Sequence, residues 1–102
     1  MTDKYPVIYR MEGKRSDRSA VAFFPHEHVN HGRIGCYAHL GQHGEADLGY
    51  YGTTSPVRTT NDVAAVAALR AELKQIYETG DDAVELVERK RLPVDWRATA
   101  WR

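Results

Sequence analysis

Residues 36–51, CYAHLGQHGEADLGYY, gather the chain's one cysteine, two of its five histidines, a glutamine and three of its six tyrosines. Such side chains serve as metal ligands, as a nucleophile with its base, or as a surface that grips a ligand. Zinc takes three or four converging ligands. Cys36, His39 and His43 are of the right type, and so are His26, His28 and His31 in the segment HEHVNH. In a regular strand, however, Cys36 and His39 stand an odd number of positions apart and point to opposite faces, out of reach of one ion. HEHVNH lacks the spacing of a zinc protease motif. Histidines in a polar loop are ordinarily solvated, although a short histidine-rich tract can also take up metal. The sequence predicts no metal ligands and no cofactor.

A Cys–His catalytic pair needs hydrogen-bond reach, and strand geometry separates Cys36 from His39 here too. His43 follows Gly41 and can fold back, with Glu45 and Asp47 close behind as carboxylate partners. There is no GxSxG elbow and no phosphate-binding Walker loop. A metal-dependent hydrolase using His39 and His43 stays as an alternative; the weight falls on binding without catalysis.

For binding, Tyr37 and His39 project from the strand face opposite Cys36, and Arg33 begins that face. Gln42 and His43 follow where the strand runs out, and Tyr50 lies a loop away. Flat rings beside arginine make a stacking platform for bases, and glycines at 41 and 44 let a ligand approach the backbone closely. The plainer reading is that the tyrosines pack a second small core while His39 and Gln42 satisfy loop backbone groups. Further along, ERKRLPVDWR places Arg89, Lys90 and Arg91 together. They suit either a solvated edge strand guarded by charge or contact with phosphates or an acidic partner.

The elements that position these residues follow from pattern. Residues 7–11 (VIYRM), 19–24 (SAVAFF, stopped by Pro25) and 33–41 (RIGCYAHLG) read as strands, rich in β-branched and aromatic residues. On the third, Ile34, Cys36, Ala38 and Leu40 share one face. Residues 46–51 (ADLGYY) suit a short extra strand. Val63, Val66, Leu69, Leu73, Ile76 and Tyr77 recur at helical spacing, with Thr59 or Thr60 as cap, Asp62 in the first turn and Gly80 at C′. Residues 82–92 return as a strand, with a continued helix as the competing reading. The fold class is α+β: one domain over residues 1–102, a small antiparallel sheet of about four strands (β-β-β-α-β), and one helix packed on one face. The core spans residues 6–92, and a tail over 93–102 carries Trp96 and Trp101.

The bulk composition bounds the function. The chain has 102 residues, with 42% hydrophobic and 27% charged, enough for one core. Fourteen basic and fourteen acidic residues cancel, which argues against both a strongly basic nucleic-acid binder and an acidic mimic of DNA. A single cysteine fits a reducing compartment. No apolar leader and no 18-residue apolar run occur, so a soluble cytoplasmic protein with no membrane contact is expected. An uncovered sheet face leaves a homodimer as reasonable as a monomer.

VIYR, AFFP and the segment from Cys36 to Tyr51, followed by a helix ending ELKQIY, resemble a family of small proteins carried by phages, prophages and conjugative elements. That family's pattern centres on a C-x-x-Y-x-H-x-G-Q-H-x-x-A-D-like segment. Here Cys36, His39, Gly41, Gln42, His43, Ala46 and Asp47 fall into it, while the adjacency of Cys36 and Tyr37 departs from it. The resemblance implies a mobile-element accessory protein acting in the host cytoplasm. The expectation is therefore a non-catalytic module, similar to anti-CRISPR proteins in kind, that counteracts a host defence system. It would bind a host protein complex or a signalling nucleotide through Arg33, Tyr37, His39, Gln42, His43 and Tyr50. A small nucleic-acid-binding accessory protein is the further alternative.

Overall fold

A computed structural model describes residues 3–14, 18–28, 33–38 and 42–91. The elements run β1 (Asp3–Glu12), β2 (Ser19–His28), β3 (Ile34–Ala38), β4 (Gln42–Ala46), α1 (Leu48–Thr53), α2 (Thr60–Tyr77) and β5 (Val84–Glu88). The fold is α+β, with a five-stranded sheet in the order β4-β3-β2-β1-β5. The first four strands form an antiparallel meander, and β5 joins the far edge parallel to β1. Parallel pairing needs a long crossover, and the chain from β4 through α1 and α2 supplies it.

Several boundaries differ from the sequence reading, each for a local reason. There are five strands and two helices rather than about four strands and one helix. The extra strand is β4, whereas the ADLGYY segment enters α1, because Asp47 caps it by accepting the Tyr50 N–H at 2.7 Å. Pro25 does not stop β2. The register with β3 shifts between Phe24 and His28, and an irregularity of that kind accommodates a residue with no N–H to give. Pro6 likewise precedes the β1–β2 pairing, which begins at Ile8. For residues 82–92 the strand is realised over Val84–Glu88. The helix-capping expectation settles on Thr59, whose hydroxyl accepts the Asp62 N–H while Asp62 returns a bond to the Thr59 N–H. Gly80 follows the Glu78 C-cap by two residues with φ 89°, a conformation glycine adopts without strain.

Both faces of the sheet are covered. Under α2 lie Val7, Tyr9, Met11, Ala22, Phe24 and Tyr37, meeting Val66, Leu69 and Leu73. On the opposite face Ile8, Val21, Phe23, Ile34 and Ala46 pack with Cys36, Leu48, Tyr50 and Tyr51. A helix of six residues is too short to hold itself together in water. α1 is held by Tyr50 and Tyr51, whose rings sit 5.8 and 5.0 Å from that of Phe23. The expectation of one open sheet face therefore fails: the Tyr37 face lies beneath the long helix, and the Cys36 face lies beneath the short one. At the N-terminus of α2, Arg18 pairs with Asp62 at 2.9 Å and ties the start of β2 to the helix cap.

Candidate functional site

The β3–β4 ladder sets Tyr37 opposite His43 and Cys36 opposite Gly44. Tyr37 is 3% exposed, and its hydroxyl donates to Glu72 on α2. That bond, with burial behind it, raises the phenol pKa. His43 is exposed, with its ring 4.6 Å from that of Tyr37 and Nε2 2.9 Å from the Tyr77 hydroxyl. Burial pushes Tyr77 up to about 12. Cys36 faces the other way. Burial raises its thiol pKa, the Glu12 charge adds to this, and a backbone bond at Gly44 opposes it without winning. A thiol held protonated, on the opposite face of the sheet from His43, is not poised as a nucleophile.

The remaining residues of the expected surface scatter. Arg33 is exposed and pairs with Glu45 at 3.3 Å, a surface bridge of small energetic weight. Tyr50 lies on the α1 face, where its hydroxyl donates to Glu12 at 2.8 Å; burial, then that carboxylate, push its pKa up. Gln42 opens β4. His39 lies outside the described residues, as do Trp96 and Trp101. Tyr37 and His43 thus share one face, and Tyr50 belongs to the other. Among the described residues no group of three or more His, Cys, Asp or Glu side chains could hold a metal ion.

What does converge is the basic stretch after β5. The parallel register sets Glu88 beside Val7, and the Arg89 N–H donates to the Val7 carbonyl at 2.8 Å. Arg89 and Lys90 therefore emerge next to Tyr9. Together with α2 and the segment at Pro56 and Val57 they enclose a cleft of about 400 Å³. Its apolar wall is Pro56, Val57, Val63 and Val66; Tyr9 lies in its lining, and Arg10, Arg70, Glu88, Arg89 and Lys90 supply charge. Helical spacing puts Val63, Val66 and Arg70 on one side of α2. Val63 is 58% exposed and Ile76, near the other end of the stripe, 44%, while Val66, Leu69 and Leu73 between them are buried.

Arg70 binds Glu88 at 2.5 Å and its guanidinium lies 5.3 Å from the centre of the Tyr9 ring. The Tyr9 hydroxyl is sealed from solvent and has no hydrogen-bond partner among the described residues. Burial pushes its pKa up to about 12, against the lowering effect of Arg70. Arg10 is committed elsewhere: it donates to the Thr54 hydroxyl and carbonyl at 2.6 and 2.7 Å and lies 4.6 Å above the Tyr51 ring. Beyond Arg89, a second hollow of about 410 Å³ is lined by Lys4, Pro6, Pro25, His26, Arg89 and Arg91. One sheet edge thus gathers Lys4, Arg89, Lys90 and Arg91 in a chain whose net charge is zero. The sequence indicates Arg89, Lys90 and Arg91. It gives no sign of Tyr9, Arg70 or Lys4, because only the β1–β5 register and the lie of α2 bring them there.

The fold and the cleft define an α+β sheet protein with a cationic edge. Compared with protein-family models, with curated proteins and with solved structures, the chain matches none.

Proposed function

We propose that the protein is a non-catalytic binding protein of a phage or mobile element, and that it counteracts a host defence system by gripping a host protein complex or a signalling nucleotide at its basic edge. The observation that carries this reading is the position of Arg89, shared by the cleft over Tyr9 and the hollow beside Lys4 and Arg91. Cations concentrated on one edge of a neutral protein give a local field that draws anions without conferring affinity for long nucleic acid. The resemblance of the Cys36–Tyr51 segment to mobile-element proteins supplies the biological setting. The residues of that segment lie toward the other edge of the sheet, on β3 and β4, where Tyr37 and His43 bond to α2 at Glu72 and Tyr77.

The test is capture from a host lysate, with small molecules extracted from the same sample. The expected result is a host complex or a nucleotide retained by the wild type and lost from the double variant Arg89→Glu, Lys90→Glu. Both positions are exposed, so the variant folds as the wild type does. Equal capture by the two proteins overturns the basic-edge reading.

A further inference from the structure

We infer that the hollow beside Lys4 is the anion site of the basic edge, and that it takes the phosphate group of a small phosphate ester between Lys4, Arg89 and Arg91. This rests on the reading that the basic edge binds anions, and it names the anion and the place.

The hollow forms where a ladder stops. The β1–β2 pairing ends at Ile8 and Phe23. Two residues further on, the same register sets Pro6 against Pro25, and neither has an N–H to give. Pro25 is buried and Pro6 half-buried, and together they close the base of a space of about 410 Å³. Tyr5, Val7 and Phe24 pack toward α2, so Lys4, Pro6 and Pro25 face the other side of the sheet. No residue of α1, which covers part of that side, lines the hollow.

Its rim is cationic. Lys4, His26, Arg89 and Arg91 line it, all four are exposed, and the lining contains no acid. Lys4, Arg89 and Arg91 form no ion pair among the described residues, although Glu85 stands beside Lys4 in the β1–β5 register. The neighbouring cleft differs, because Glu88 lies in its lining and Arg70 is bound to that carboxylate. Positive potential is therefore concentrated at the hollow, in a chain of zero net charge.

The donor set selects among anions. A carboxylate offers two oxygens and one charge, whereas a phosphate monoester offers three acceptor oxygens and about two charges. Two guanidinium forks and an ammonium group around one hollow match the ester. The volume falls within the range of small-molecule sites, which leaves room for the ester's organic part.

Isothermal titration of the full chain with phenyl phosphate, inorganic phosphate and succinate tests the assignment. Phenyl phosphate should bind at least about tenfold tighter than succinate, and tighter than inorganic phosphate. The double variant Lys4→Glu, Arg91→Glu, at exposed positions that line the hollow and not the cleft, should weaken phenyl phosphate by at least about tenfold. Lys90→Glu, which lines the cleft and not the hollow, should leave it within about twofold. Succinate bound as tightly as phenyl phosphate overturns the choice of phosphate, and equal affinity for phenyl phosphate and inorganic phosphate overturns the ester. A Lys4→Glu, Arg91→Glu protein that binds as the wild type does, or a Lys90→Glu protein weakened as much as that variant, overturns the hollow. The two readings fail separately. If the hollow fails these titrations while Arg89→Glu, Lys90→Glu still loses the captured partner, only the phosphate site falls. If Arg89→Glu, Lys90→Glu keeps the partner, the basic-edge reading falls, whatever the titrations give.

Discussion

The Tyr37 hydroxyl donates to Oε1 of Glu72 at 2.5 Å, joining the central part of β3 to the middle of α2. Tyr37 stands among Ala22, Phe24, Leu69 and Leu73, so the ring is core and the hydroxyl is the core's polar handle. Tyr37→Phe removes the bond and leaves the partly buried Glu72 carboxylate without that donor, at a cost of about 1–2 kcal/mol. Tyr37→Ala also leaves a cavity and should cost about 3–5 kcal/mol. Urea denaturation of the two variants measures both. Capture of a partner by the folded Tyr37→Phe protein should match the wild type; a Tyr37→Phe protein of unchanged stability and lost capture would make Tyr37 a ligand residue.

Tyr9 predicts the opposite sign. Its hydroxyl has been stripped of water and given no partner among the described residues. Removing a buried, unsatisfied polar atom recovers desolvation energy, so Tyr9→Phe should be more stable than the wild type by about 1 kcal/mol. The ring packing under α2 is unchanged by the substitution. Urea denaturation of Tyr9→Phe and wild type measures the difference. A Tyr9→Phe protein less stable than the wild type shows that the hydroxyl is bonded within the free protein.

The legible part of this fold was what period and punctuation encode. Residues 7–11 and 19–24 are β-branched and aromatic runs and residues 33–41 alternate, and strands form there over Asp3–Glu12, Ser19–His28 and Ile34–Ala38, while Val66, Leu69 and Leu73 mark the buried line of α2. The illegible part was which face each element would cover. Alternation separates Cys36 from Tyr37 correctly, yet it cannot say which of the two meets the longer helix, because both face apolar neighbours in the finished sheet. Asp47 was the missed punctuation: read as a helix cap rather than a loop residue, it turns Leu48–Thr53 from strand to helix. The cleft escaped for a different reason. Tyr9, Arg70 and Arg89 come from β1, α2 and the end of β5, and no spacing along the chain records the parallel β1–β5 register that unites them.

Asp62 makes the fold's acid sensitivity specific. Burial alone would raise its carboxyl pKa. The N–H groups of Arg58 and Thr59, the Arg18 guanidinium and the Thr59 cap together hold it at about 2, below the usual carboxylate range. A folded-state pKa lowered beneath the unfolded value gives stability that is present above the unfolded value and lost as pH falls. The relevant window runs from about pH 4 down to about pH 2. Urea midpoints measured at pH 7, 4, 3 and 2 should therefore fall more steeply for the wild type than for Asp62→Asn. That variant is the less stable protein at neutral pH, and the gap should close toward pH 2. Thr59→Ala removes the hydroxyl half of the capping box and one of the bonds that lower the Asp62 pKa; it should cost about 1 kcal/mol at neutral pH and make the acid-induced loss over the same range somewhat smaller than in the wild type. Parallel acid profiles for wild type and Asp62→Asn would mean that some other carboxylate governs acid unfolding, and that the Arg18–Asp62 pair does not hold β2 to the helix cap.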